Sequence, residues 1–478
     1  MTTLVWFRQD LRLADNPALT AALHTGLPVV PVYIYAPAEE GAWAPGSATR
    51  WWLHHSLADL DGQLRRCGSR LTLRVAADSL DELLLLAREC GATRVTWNRR
   101  YEPAAIRRDQ RIKTALSAAG IETTSHNGAL LHEPWEAQTQ SGGPYQVFTP
   151  YWRHCKTLSD PPEPAAAPAS LLAPQNWPGC CNLEELALLP RHDWSGGMHA
   201  AWTPGSAAAH ALLSGFLSES LDDYQGARDR PDLPATSRLS PYLHCGEIGP
   251  REIWHATRRH ALARGQHTTW RDLHFLTEVG WREFAHHLLY HFPQTPEQPL
   301  RANFARFPWK SSPAALHAWQ RGATGYPIVD AGMRQLWRTG WMHNRVRMIA
   351  ASFLVKDLLL PWNEGARWFW DTLVDADLAS NTLGWQWVAG CGADAAPYFR
   401  IFNPTTQATR FDPHGAYVRE WVPELARLGD EWIHQPWKAP PQVLSTAGVR
   451  LGVDYPQRLI DHDLARLAAL AALATLKS

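Results

Sequence analysis

Leu4-Val-Trp-Phe7 is the first apolar run of the chain, and three more follow it: Val29-Val-Pro-Val-Tyr-Ile-Tyr35, Leu71-Thr-Leu-Arg-Val75 and Arg94-Val-Thr-Trp97. Short runs that are apolar on consecutive residues fit strands buried on both faces. Between them, Trp51–Arg66, Ser79–Cys90 and Ala104–Ala119 carry apolar residues at helical spacing. This alternation predicts a parallel sheet with helices on both sides, a Rossmann-like α/β arrangement over residues 1–130. Neither G-x-G-x-x-G nor G-x-x-x-x-G-K-[ST] occurs, so no Gly-rich loop assigns a nucleotide to the sheet.

Beyond the sheet the texture changes. Ser159 to Pro204 is rich in Pro and Ala, with Pro161, Pro162, Pro164, Pro168, Pro174 and Pro178. This places an interdomain connector at 131–205. From 206 to 478, aromatic and aliphatic residues recur at three and four, punctuated by Gly246, Gly249-Pro250, Pro293, Gly325 and Pro361. That pattern predicts an all-α second domain.

The 478 residues carry 46 basic and 46 acidic side chains and are 45% hydrophobic and 19% charged. Disordered, collagen-like and disulfide-stapled chains are excluded. Net neutrality excludes a uniformly basic nucleic-acid coat but leaves room for a local basic groove. Between Pro250 and Lys310 there are nine Lys/Arg against five Asp/Glu. Arg338, Arg345, Arg347 and Arg400 follow, interleaved with Trp337, Trp341, Trp385 and Trp387. Basic groups with rings between them suit a nucleic-acid strand, although composition alone fits a solvated helical surface over an aromatic core as well. The outlying number is 25 Trp, which implies heavy aromatic packing or use of the indole itself.

The seven cysteines form no C-x-x-C, which points to a reducing cytoplasm and away from disulfide or zinc frameworks. No secretory signal opens the chain, and the longest late apolar stretch, Leu467–Leu476, is half a membrane span. Glu283, His287 and His291 stand at i, i+4 and i+8, the one spacing that invites a metal. H-E-x-x-H is missing and Pro293 ends the helix at once, so the expectation is that no metal is bound.

Longer motifs carry more. They are Trp6-Phe-Arg-Gln-Asp-Leu-Arg-Leu-Ala-Asp-Asn-Pro-Ala-Leu19, Thr236-Ser-Arg-Leu-Ser240, Trp281-Arg-Glu-Phe284, Gly325-Tyr-Pro-Ile-Val-Asp330, Thr339-Gly-Trp-Met-His-Asn-Arg-Val-Arg-Met348, Asp375-Ala-Asp-Leu-Ala-Ser-Asn381, Trp385-Gln-Trp387 and Ala395-Ala-Pro-Tyr-Phe-Arg-Ile-Phe-Asn-Pro-Thr-Thr-Gln407. From about residue 2 to 460 the chain resembles the photolyase/cryptochrome family, most of all its bacterial cyclobutane pyrimidine dimer photolyases.

The resemblance implies a light-driven carbon–carbon lyase that repairs DNA, with FAD, active as FADH⁻, in the helical domain. It assigns Tyr224, Thr236, Ser237, Arg238, Leu239 and Ser240 to the cofactor's phosphates and ribose. Small hydroxyls and N–H groups opening a helix suit an anion, and the same donors would serve a plain helix cap. It assigns Asp375, Ala376 and Asp377 to the ring and ribose end, Arg347 to the flavin face and Asn381 to N5. An amide can meet N5 in either protonation state. Trp385, Trp362 and Trp309 match an electron-transfer chain. Glu278, Trp281, Asn344, Met348 and Trp387 match a pocket for a flipped-out dimer. Read alone, Glu278 and Glu283 would be solvent-facing helix carboxylates. Glu278 lies three residues before Trp281, so a helix puts both on one face. An apolar pocket would keep Glu278 protonated, able to stabilise charge on the dimer. Arg228, Arg282, Arg345, Arg400 and Gln407 match contacts to damaged DNA, made without reading base sequence and weakened steeply by salt.

Asn344 and Met348 stand where six-four photolyases of the family carry His, and the Trp281/Trp387 pair is bulkier than in DASH cryptochromes. A signalling cryptochrome is the alternative from another class. For the antenna, folate is disfavoured: Tyr101-Glu102 is followed by Pro103-Ala104-Ala105 where folate binders of the family carry Asn-Glu. The expectation is a monomer, and for the antenna site a deazaflavin, another flavin or no chromophore all stay open.

Overall fold

The computed structural model describes residues 1–394 and 399–476, so Ala395–Tyr398 of the closing motif fall outside the described residues. Five parallel strands form one sheet in the order β3-β2-β1-β4-β5. They are β1 (Thr2–Phe7), β2 (Val29–Tyr35), β3 (Thr72–Val75), β4 (Ala92–Asn98) and β5 (Glu122–His126). In β1 the side chains alternate between faces. Val5 and Phe7 join a core with Leu53, Leu57 and Leu60, while Leu4 and Trp6 join one with Leu83, Trp97 and Ile112. Apolar residues on both faces explain the unbroken hydrophobic run.

The covering helices are α1 (Pro17–Leu23), α2 (Ser47–Arg66), α3 (Ser79–Cys90) and α4 (Pro103–Ala118). Local signals set their ends. Asn16 accepts from Leu19 N and Pro17 opens α1. Asp78 caps α3, and Gly91 ends it at φ 64, a left-handed cap that costs a glycine little.

Inside the span read as connector lie α5 (Phe148–Cys155) and α6 (Gly196–Ala201). The helical part follows as α7 (Ser206–Glu219), α8 (Tyr224–Ala227), α9 (Ser240–Cys245), α10 (Pro250–Ala263), α11 (His274–His291), α12 (Pro313–Gln320), α13 (Pro327–Thr339), α14 (Asn344–Ser352), α15 (Trp362–Thr372), α16 (Leu378–Ala389) and α17 (Pro404–Phe411), with further helices up to Ala474. One core gathers α13 to α16 around Trp319, Trp362 and Trp385. A second gathers α5, α9, α10 and α11 around Trp152, Trp254 and Phe284. Much of the Trp excess is therefore packing.

Two of the motifs are joints. Arg12 is buried and donates to Gly246 O (2.9 Å), Asp15 O (2.8 Å) and Gly128 O (2.7 Å). Asp15 pairs with Arg251 at 2.8 Å, and Leu11 N bonds Cys245 O. The first motif thus ties the sheet to the helical part. Asp330 accepts from Thr324, Gly325 N and Tyr455 OH. That staples the start of α13 to the C-terminal region and satisfies a buried carboxylate. Among the described residues all seven cysteines are free, and no helix is long and apolar enough to cross a membrane.

Candidate active site

Thr236–Leu239 lead into α9, and Arg238 has φ 53. A positive φ costs a non-glycine residue free energy, so something must hold it. Its guanidinium lies 4.1 Å from the Trp202 ring and 5.3 Å from Trp341. Its Nε is buried without a partner, and burial pushes its pKa down. Among the described residues no carboxylate pairs with it. An orphaned buried cation beside small hydroxyls fits the diphosphate of a dinucleotide such as FAD.

Ser240, Arg347 and Asp375 converge. Ser240 Oγ donates to Asp375 Oδ2 (2.6 Å), and Arg347 Nη2 donates to the same oxygen (2.8 Å) and to Oδ1 (3.1 Å). Arg347 Nε donates to Met342 O (2.7 Å). Asp377 caps α16 through Ser380 N at 2.7 Å and faces His286 at 3.4 Å. Burial would raise the Asp377 pKa, but His286, Arg282 and His244 hold it well below the usual range. The same pairing raises His286 against burial. Asn381 Nδ2 donates to Ala366 O at 3.1 Å, which fixes the amide. Tyr224 is buried, 6.2 Å from the His274 ring and 5.7 Å from the Arg228 guanidinium.

α11 carries an aromatic face. Trp281 stacks on Phe148 of α5 with centroids 3.8 Å apart and planes 9° from parallel. Phe148 was invisible to the sequence reading because it falls in the span taken as connector. Glu278 shares the α11 face with Trp281, as its spacing required. Its surroundings differ from expectation: Oε1 is paired with Arg228 and lies 3.4 Å from His274 Nε2, and the side chain is 27% exposed. Asn344 heads α14 and is exposed, and Met348 and Trp387 are half-buried.

Arg345, Arg400 and Gln407 line one basic groove of about 510 Å³ together with Asp229, Arg410 and Phe411. Arg410 was missed; it lies three residues after Gln407 on α17, on the same face. Arg282 does not line that groove: it donates to Ala129 O at 2.7 Å, sits 3.7 Å from Glu283 and lines a recess with His286 and Asp377.

Trp385 and Trp362 are buried and Trp309 half-buried in one core. The ring contacts of Trp385 run to Phe369 (5.0 Å) and Trp319 (6.2 Å), and Trp309 lies on Phe307 (4.3 Å). Among the described residues no ring pair joins the three directly. The Glu283, His287 and His291 face serves another purpose. Glu283 accepts from Leu131 N and His132 N, and both imidazoles meet Pro134 O. These groups clamp the 131–134 segment onto α11.

Residues 3–169 match a family described as DNA photolyase, and residues 275–475 match the FAD binding domain of DNA photolyase. A deoxyribodipyrimidine photo-lyase of Agrobacterium fabrum is 50% identical over 476 residues, covering 99% of this chain and 98% of the relative. Cryptochrome-2 of Arabidopsis thaliana is 44% identical over 478 residues, covering 97% and 77%. The crystal structure of a bacterial class III photolyase from Agrobacterium tumefaciens superposes with TM-score 0.95 at 49% identity, covering 100% and 98%.

Proposed function

The chain belongs to the photolyase/cryptochrome family, and from that membership we propose that it is a light-driven DNA repair enzyme, a carbon–carbon lyase that splits cyclobutane pyrimidine dimers. Bound in its reduced form, FAD would take up blue light, lend one electron to the dimer and receive it back, so that the cyclobutane bonds open without net redox change. The chain's own residues do the rest. Arg238, with Thr236, Ser237 and Ser240, holds the diphosphate. Arg347 and Asp375 fix the ribose and ring end, and Asn381 presents its amide to N5. Trp281, backed by Phe148, and Trp387 wall off a flipped-out dinucleotide from water. Glu278 and Asn344 offer hydrogen bonds to base edges. Arg345, Arg400, Gln407 and Arg410 take phosphates and read no sequence. Trp385, Trp362 and Trp309 supply electrons when the flavin is oxidised.

The observation that carries this reading is the 50% identity to a deoxyribodipyrimidine photo-lyase over 99% of the chain, with Trp281, backed by Phe148, and Glu278 on one face of α11. The test uses purified, photoreduced protein and a duplex with one thymine dimer. Thymine absorbance is expected to recover under blue light and not in the dark. No recovery with flavin bound and photoreducible would overturn the lyase reading and favour a receptor, which the 44% identity to a cryptochrome keeps in view.

For the antenna, Trp6, Tyr33, Trp43, Arg100, Arg108 and Trp370 line a recess at the C-terminal ends of the strands. Binding at that end of a parallel sheet is the general rule. The rings there suit a planar chromophore, while Arg100 and Arg108 are already paired with Glu40. The purified protein is then expected to release a second absorbing species on denaturation. Free thiols support a reducing cytoplasm, and we retain a monomer as the working state.

A further inference from the structure

The cations around the cleft are of two kinds. Arg400 and Arg410 make no ion pair among the described residues. Arg228 and Arg345 are already neutralised inside the protein: Arg228 Nη1 by Glu278 Oε1, with His274 Nε2 against the same pair, and Arg345 Nη2 by Asp229 Oδ2 at 2.6 Å. Arg228 and Asp229 are consecutive residues at the end of α8, so one turn of chain takes part in both pairs. Arg228 is 17% and Arg345 19% exposed. Each guanidinium already spends part of its donor set on a carboxylate, and Glu278 Oε1 is held by Arg228.

We propose that DNA enters this cleft by counter-ion exchange: phosphates take Arg345 from Asp229 and Arg228 from Glu278, and the second transfer releases Glu278 for the lesion. Asp229 and His274 are on this account positioning residues, holding the cleft cations and Glu278 in a closed pair until DNA competes. The proposal rests on the repair reading above. It makes release of Glu278 Oε1 conditional on phosphate contact.

The exchange has a signature in affinity. A free arginine that meets a phosphate releases that phosphate's condensed cation, which gives a slope of about −0.9 per contact in log K against log salt. An arginine that first leaves a carboxylate releases the same condensed cation, so the slope per contact is unchanged and the cost of parting the pair lowers affinity instead. Arg228 and Arg345 therefore contribute less affinity than two unpaired arginines would.

The test measures dark binding of the flavin-loaded protein to undamaged duplex over a range of salt, for wild type, Asp229→Asn and Glu278→Gln. The flavin spectrum and unfolding midpoint of the same preparations report folding. With Asp229→Asn, affinity is expected to rise about two- to fivefold, the range of an exposed ion pair, with the wild-type slope. With Glu278→Gln, affinity for undamaged duplex rises in the same way while repair falls. If both variants bind as wild type or more weakly, the pairs are permanent and the exchange is overturned. If wild type binds no DNA or repairs none, it is the repair reading that fails, and the dark assay on undamaged duplex tells the two failures apart.

Discussion

Arg238 carries more of the site than any other single residue. It holds a left-handed backbone angle, lies between two indoles and has no anionic partner among the described residues. A charge-assisted hydrogen bond to a phosphate contributes about 1.5–3 kcal/mol. Arg238→Met keeps the bulk between the rings and is expected to weaken FAD binding about 10- to 100-fold, read by flavin fluorescence titration, with far-ultraviolet dichroism unchanged. Gly365 is a second sharp case. A Cβ there would stand 2.0 Å from Trp385 Cη2. The ring is buried and cannot retreat, so Gly365→Ala should cost about 1–3 kcal/mol in urea unfolding, the usual range for overpacking. Arg238 was legible in the sequence because it sits in a long motif. Phe148 and Arg410 were not: one lies in a stretch whose composition reads as linker, the other looks like any helix-face arginine until the groove assembles around it.

Among the elements, legibility followed hydrophobic pattern. Val29–Tyr35 is both the expected and the observed strand, and Ser79–Cys90 both the expected and the observed helix. β5 escaped because Glu-Thr-Thr-Ser-His contains no apolar residue and forms an edge strand, held to β4 by backbone pairing and a Thr124–Thr96 hydroxyl bond at 3.0 Å. α5 escaped for a similar reason, since eight residues beside a Pro-rich run give no sustained period. α16 was anchored by its motif, and its start decides where Asn381, Trp385 and Trp387 point. That start depends on Asp377, which caps the helix and pairs with His286 in the same stroke. Removing the cap costs about 1–2 kcal/mol, and the buried imidazole loses its anion as well. Asp377→Ala is therefore expected to lower unfolding free energy by about 2–4 kcal/mol near neutral pH. The pH sign follows from the depressed Asp377 pKa. Its contribution is present above the ordinary carboxylate range and is lost as pH falls through the folded-state value, so wild type and variant converge in acid.

At the scale of the whole molecule, the seam between sheet and helical part holds carboxyls that burial keeps protonated. Glu247 accepts from Trp52 Nε1 (3.1 Å), Gly205 N (2.7 Å) and Ser56 Oγ, yet desolvation outweighs these donors and pushes it up to about 8. Glu283, clamping residues 131 and 132 to α11, is pushed up to about 7 by the same cause. In the unfolded chain both release their proton near 4.5. A folded-state value raised above the unfolded one contributes stability that is full below 4.5 and is lost as pH rises through 7 to 8. Other groups act in the same range. His55, His287 and His343, pushed down to about 4 by burial, are neutral in both states above pH 7 and drop out. Lys356, driven far down by burial, pushes stability the opposite way. A wild-type profile alone is therefore ambiguous, and the difference between wild type and Glu247→Gln isolates the seam. Urea unfolding at pH 7, 8 and 9 should show wild type losing about 1–2 kcal/mol relative to the variant across that interval. A constant difference would mean that Glu247 is already ionised when folded, its charge carried by the three donors, and that the seam is indifferent to alkali. A falling difference would mean that the joint between the two parts loosens as the solution turns alkaline, from the buried carboxyls outward.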